Sequence, residues 1–466
     1  MRVTYMRKKY FGGRCKMKKK IALLLTLLLA FSLVAACAGD AAPPADTGAG
    51  DAATGDAATG DAAAGGVTTL TFWTFQQSHA NFLEIMAESW NEQNPDRMIA
   101  LDSSVFNHTD HHNNLLISLQ AGTGAPDIAD IEIGRFASFL AGTPQLHAFN
   151  DLIAPYQDVV IMSRMYNYAK DGRFYGIDYH VGIPVIYYNR TLLEAAGINY
   201  MDIVTWDDFI AAGIQLRDTT GVPMTTIEAT QHWGMYMAMT QNGGDIFDGN
   251  GNVILDSPQN IQAVQMLYDM LYVYEIAVVA PGGFHHAEEW YGFFNNGGAA
   301  SVWMPQWFMN RFTDFMPDLF GQIAVRPMPV FPNGQPGAGV GGTGTTVTNQ
   351  TEHAELAMDF VVFAKLSEEG AIRTWTDLGF DPVRWDVWDR PEMREPNAFN
   401  DFFGNHVFEM FLEMRDGISA INLDDRWPAA FSLMQSQVAF DLFGTRTATP
   451  EEALRRAAEE LRELAN

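Results

Sequence analysis

Residues 171–198 read DGRFYGIDYHVGIPVIYYNRTLLEAAGI. Asp171-Gly172 is a turn signal, because glycine takes positive φ at little steric cost. Arg173 to Ile177 reads as a short strand. Val181 to Tyr188 reads as a second, rich in β-branched and aromatic residues. A helix follows at once. Thr191-x-x-Glu194 fits a capping box, Leu192, Leu193, Ala195 and Ala196 favour helix, and Gly197 fits the stop. Thr205-Trp206-Asp207-Asp208 opens the next helix in the same way. A strand feeding a helix in this manner belongs to the α/β class.

Working outward, the chain of 466 residues is long enough for two domains, since single cores seldom grow beyond ~250–300 residues. Its hydrophobic content of 47% supports a globular core. The net charge is −27. Residues 1–36 hold nine Lys/Arg and no acid, so the rest of the chain sets 20 basic against 56 acidic residues. Such a surface repels nucleic acid and anionic headgroups, weighs against a strongly anionic ligand, and keeps a protein soluble outside the cell. Cys15 and Cys37 both precede the globular part, which leaves it no disulfide framework and no thiolate metal site.

The basic N-terminus ends in Met17-Lys18-Lys19-Lys20, and Met17 is an alternative start. The apolar run 21–36, IALLLTLLLAFSLVAA, is shorter than the ~20 residues of a spanning helix. Residues 1–36 therefore read as a signal peptide. Val34-Ala35-Ala36-Cys37 resembles a bacterial lipoprotein signal, which implies diacylation of Cys37; two acyl chains suffice for stable anchoring. The alternative is a secreted protein with an incidental cysteine. Residues 37–66 repeat DAATG at 51–55 and 56–60, have almost no apolar bulk, and read as a disordered tether.

The string YGIDYHVGIPVIYYNRTLLEAAGI, followed by VTWDDFI, resembles the lobe-crossing segment of the extracellular solute-binding proteins of ABC importers, in the group that includes maltose-binding protein. The resemblance extends over most of residues 67–466. It implies an α/β, two-lobed periplasmic-binding-protein-like fold (type II), each lobe a central β-sheet flanked by helices, with three interlobe crossings. One lobe would comprise 67–180 and 337–383, the other 181–336 and 384–466. The implied function is a membrane-anchored receptor that captures a carbohydrate by hinge closure and delivers it to a permease. It implies no enzymatic activity, no cofactor, a monomer, and a lipid-anchored place on the outer face of the cell membrane.

The resemblance also nominates ligand contacts. Strand Val67–Phe75 carries Trp73, and Gln76 and Ser78 follow its C-terminal end, where open α/β sheets bind ligands. A core tryptophan is the competing reading of Trp73. Pro126-Asp127 leads strand Ile128–Ile131, and Glu132 and Arg135 follow it. An exposed salt bridge for Arg135 and a helix-start charge for Glu132 compete. In the crossing itself the family usually has Pro where this chain has Asp178, and often an acid where it has Gly182. The usual hydroxyl acceptor would then be missing, or replaced by Tyr179, His180 or Asp178. Gln231 and Trp233 resemble the second-lobe binding loop, and Asn242 opens an Asn-Gly-Gly segment. Trp307 is the expected aromatic platform and Trp303 a core residue. Gly342 and Thr343 lie in a Gly-rich return strand, and Trp427 starts a helix that faces the cleft in relatives.

Other chemistries fit less well. His108, Asp110, His111 and His112 are zinc ligands by type, but a polar helix start capped by Thr109 or Asp110 is the plainer reading, and His285-His286-x-Glu288-Glu289 lacks a zincin pattern. Gly337–Thr346 has no GKS or GKT. A hydrolase would need paired carboxylates across a cleft; no GxSxG or HExxH is present. The same fold carrying a peptide, polyamine or metal is the remaining alternative.

Overall fold

The computed structural model describes residues 66–332, 335–404 and 407–464. The signal peptide, Cys37 and the tether as far as residue 65 lie outside the described residues.

The strands run β1 Thr68–Thr74, β2 Ile99–Val105, β3 Ile128–Glu132, β4 Ala169–Lys170, β5 Arg173–Phe174, β6 Ile177–Asp178, β7 Pro184–Asn189, β8 Thr225–Ile227, β9 Ala277–Val279, β10 Ser301–Pro305, β11 Ile323–Pro327 and β12 Thr343–Val347. Two five-stranded sheets result, in the orders β2-β1-β3-β12-β6 and β11-β7-β10-β8-β9. In the first, β1 runs parallel to β2 and β3, and the late strand β12 lies antiparallel between β3 and β6. The second mixes parallel pairs around β8 with antiparallel pairs around β7.

Local sequence explains these elements. β1 buries alternate residues Leu70, Phe72 and Thr74, and helix Gln77–Gln93 lays Phe82, Leu83, Met86 and Trp90 into the same core. Every residue of β7 is buried, because helices cover both faces of its sheet. The second core gathers helices from 398 to 463, and also takes in Ala371 and Trp375.

The opening stretch behaves nearly as its residues dictate. Asp171 and Gly172 both take positive φ, at 50° and 74°, and close the β4–β5 hairpin. The single strand expected over Arg173–Ile177 is broken in two, because the chain leaves the hairpin before joining the first sheet. The capping box expected at Thr191 is not formed. Asn189 caps instead, accepting from the Leu192 amide, and helix Arg190–Ala195 begins earlier. Gly197 and Ile198 close its end by donating to Glu194 and Leu193, a Schellman motif. Thr205 and Asp208 do form a capping box, as do Thr449 and Glu452.

The chain passes between the sheets three times: from β6 to β7, from β11 to β12, and near Asp381. Hydrogen bonds stitch these passages together. Val340 N–H donates to Gly182 O, Val181 N–H to Asp381 O, and the Gly182 and Ile183 amides to the Asp381 carboxylate at 3.1 and 2.9 Å. Gly182 has φ 71°, and a Cβ there would lie 2.3 Å from Val340 O. An acid at this position is therefore sterically excluded here.

Candidate ligand-binding cleft

A cleft of about 510 Å³ opens where the strand ends of the two sheets meet. The first sheet supplies residues just beyond β1, β2 and β3 and just before β12, as expected for ligand sites at the ends of such strands. From this side come Gln76 and Ser78, with Phe75 and His79 beside them, then Glu132, His180, Gly342 and Thr343. The facing wall carries Gln231, Trp233 and Trp307, together with Phe284, His286, Asn310 and Arg311.

Trp233 and Trp307 stand edge to face, with centroids 5.6 Å apart and planes at 77°. His286 stacks on Trp307 at 5.7 Å. The Trp307 indole N–H donates to Val340 O at 2.9 Å. Its polar edge is thus occupied, and the ring acts in the cleft through its apolar body. Gly341 permits this approach, since a Cβ there would meet Trp307 Nε1 at 2.6 Å. Trp233 opens helix Trp233–Gln241 and rests against His232, which is sandwiched by Phe431 at 3.9 Å.

Polar groups around the cleft are fixed from behind. Asp130 is fully buried and accepts from His79 Nδ1 at 2.9 Å, Thr74 Oγ1 at 2.8 Å and Thr345 Oγ1 at 2.6 Å. Burial opposes its charge, but the bonds from His79 and Thr345 outweigh it and hold the carboxyl below its usual range. The proton on His79 Nδ1 is held by this carboxylate. Asp178 accepts from Arg164 at 2.8 Å, Tyr168 at 2.7 Å and the Thr343 amide at 3.1 Å. Arg164 also donates to Gly339 O and Gly341 O, so this buried ion pair shapes the Gly-rich return segment. Burial drives His180 and His286 down to about 3, so both are neutral imidazoles. Burial likewise pushes Glu132 up to about 7, against the pull of the Gly134 amide and Arg135. Two buried atoms on lining residues, His180 Nδ1 and Asn310 Oδ1, have no hydrogen-bond partner among the described residues.

Five nominated residues are not brought into the cleft. Trp73 packs half-buried against Phe106, edge on at 5.1 Å. Tyr179 is buried beneath His79, with Lys365 over its ring. Arg135 projects from helix Ile133–Phe139 into solvent. Asn242 turns away to bond Gln259 O and Gln262. Trp427 does start a helix, but is fully buried with its indole N–H on Asn422 O. Asp178, raised as a replacement acceptor, is consumed by Arg164 and Tyr168.

The histidine cluster is committed to the backbone. Asn107, not Thr109 or Asp110, caps helix His108–Ala121. His112 lies between His108 O and the Glu132 amide, and His111 Nε2 meets Asp130 O. Among the described residues no group of three or more His, Cys, Asp or Glu could hold a metal. Arg311 and Asn310 escaped the sequence reading because polar residues in a short helix look like a solvated face. Phe284 and Phe380 look like core until the two sheets are opposed.

The sequence profile of the bacterial extracellular solute-binding proteins matches residues 73–371. This chain belongs to that family. Two relatives extend the match over most of the solute-binding protein. The "Arabinooligosaccharide-binding protein" of Halalkalibacterium halodurans is 47% identical over 84% of this chain and 89% of its own. The protein of the same description from Bacillus subtilis (strain 168) is 44% identical over 85% of this chain and 93% of its own. The fold is shared with the GacH receptor of Streptomyces glaucescens, at TM-score 0.70 and 17% identity, covering 85% of this chain and 98% of that one.

Proposed function

We propose that this protein is the receptor of an ABC importer and captures an arabinose-containing oligosaccharide between its lobes. The observation that carries the reading is the crossed pair Trp233 and Trp307 on one wall of a cleft whose other wall comes from the first sheet. Aromatic faces suit the C–H faces of sugar rings, and the polar side chains of Gln76, Ser78 and Gln231 line the same cleft to meet ligand hydroxyls. The identity of 47% to an arabinooligosaccharide-binding protein supports that class of sugar.

The lobes comprise 67–180 with 337–383, and 181–336 with 384–466, and rotate about the three stitched passages. Ligand touches both walls only when they are closed, so it shifts the population toward that state. The sequence Val34-Ala35-Ala36-Cys37 supports a diacylated anchor, with residues 37–66 as tether. A hydrolytic role is disfavoured, because among the described residues Glu132 is the one acid lining the cleft and paired-carboxylate cleavage needs two.

Isothermal calorimetry with arabinotriose tests the reading. We expect one site with a dissociation constant on the order of micromolar, about −8 kcal/mol, and no product after prolonged incubation. Absence of heat with arabinotriose and longer arabino-oligosaccharides would overturn it.

A further inference from the structure

Arg311 stands on helix Met309–Phe315 and lines the cleft, half-buried. Among the described residues it has neither a hydrogen bond nor an ion pair. That sets it apart from Arg164, held by Asp178, and from Arg384 and Arg426, each held by a nearby aspartate. Its electrostatic neighbours are the neutral His286 and Tyr291. Asp314, further along the same helix, is exposed and makes no ion pair with it among the described residues. The acid across the cleft, Glu132, is answered by Arg135 and driven toward its neutral form by burial. The cleft thus presents an uncompensated cation in a chain of net charge −27.

The planar fork of a guanidinium matches a carboxylate with two parallel N–H···O bonds. We propose that the cleft takes an oligosaccharide carrying a carboxylate, as a uronic acid unit does, and that Arg311 selects for it. This deepens the carbohydrate reading and rests on it. The carboxylate seats on Arg311, on the wall that also carries Trp307. Repulsion by the distant acidic surface does not oppose this at physiological salt, where screening extends over only ~8 Å.

The test is calorimetry on the protein with three probes: neutral arabinotriose, arabinotriose bearing one glucuronic acid, and free glucuronic acid. We expect the acidic oligosaccharide to bind roughly tenfold or more tighter than the neutral one, the equivalent of one charge-assisted contact. The advantage shrinks as salt rises. Arg311→Gln brings the acidic-to-neutral affinity ratio to about one, and Arg311→Lys keeps part of it, since charge survives without the fork. Far-ultraviolet dichroism and melting confirm that both variants fold. Free glucuronic acid binds more weakly than the acidic oligosaccharide if the aromatic walls hold the remaining units. Equal affinities in the wild type, or a preference that survives Arg311→Gln, would overturn the proposal while leaving the neutral-sugar reading intact. Failure of all three probes to bind would overturn both.

Discussion

Trp307 offers a division of labour that two substitutions can separate. Its indole N–H bonds Val340 O in the second passage, and its ring body faces the cleft. Trp307→Phe keeps an aromatic face and deletes the donor; Trp307→Ala deletes both. A net hydrogen bond is worth ~0.5–1.5 kcal/mol, and this one is only part-buried, so the lower half of that range applies. An aromatic contact adds ~0.5–1.5 kcal/mol. Trp307→Phe should therefore weaken arabinotriose binding by about 0.5–1 kcal/mol, roughly two- to fivefold. Trp307→Ala should cost about 1–2.5 kcal/mol in total, roughly five- to seventyfold. Calorimetry at one temperature and salt reads both. Equal losses for the two variants would refute the claim that the ring face carries binding. Unchanged affinity in both would refute Trp307 as a platform altogether.

Three further outcomes follow from the geometry. Gly182→Ala should lower the urea midpoint, with ~1–2 kcal/mol from the left-handed backbone alone, because Gly182 has φ 71° and a Cβ would press on Val340 O; an unchanged midpoint refutes the stitched arrangement. Asp178→Asn should destabilise by ~3–5 kcal/mol, since it leaves the fully buried Arg164 charge without its partner; a loss well below that range counts against the pair as the organiser of the Gly-rich segment. Acid should lower the melting temperature. His112, His180, His232, His285 and His286 are driven by burial to about 3, below the unfolded 6.5, so stability is lost as pH falls from 6.5 toward 3. Glu132, Glu228 and Asp381, raised by burial to about 7, act oppositely over pH ~4–7 but are fewer; a melting point that holds from pH 7 to 5 refutes the balance.

The fold was largely legible because its cues are local. The Asp171-Gly172 turn, the Thr205 box and the alternation in β1 each follow from neighbours in sequence. The site was legible where the topology fixes it. Gln76, Ser78 and Glu132 reach the cleft because residues after a strand's C-terminal end must. It was not legible for aromatic residues, whose chemistry is the same in a core and on a platform. Trp427 and Trp307 both stand at short-helix starts, yet one is fully buried and the other lines the cleft. His79 was missed for another reason: it is held at the cleft by Asp130, which is distant in sequence. Gly182 is an acid in many relatives by resemblance, but here the neighbouring passage comes too close for any side chain.

That last substitution connects ligand recognition with lobe movement. Gln306 is fully buried and reaches two of the passages at once. Its amide donates to Ile183 O at 2.8 Å, and its side chain accepts from the Asp381 amide at 2.9 Å and donates to Gly379 O. The next residue, Trp307, reaches the remaining passage through Val340. Two consecutive residues therefore touch every point about which the lobes would turn, and the second of them lines the cleft. A sugar pressing on the Trp307 face acts within one hydrogen bond of the hinge rather than at the lobe tips. Closure then requires no relay through the cores: bistable packing at the passages suffices, because interiors resist continuous deformation. It also explains why small residues crowd here. Gly339 and Gly341 would each place a Cβ within 2.6 Å of a neighbour, so side-chain bulk at the passages would wedge apart the contacts that report the ligand.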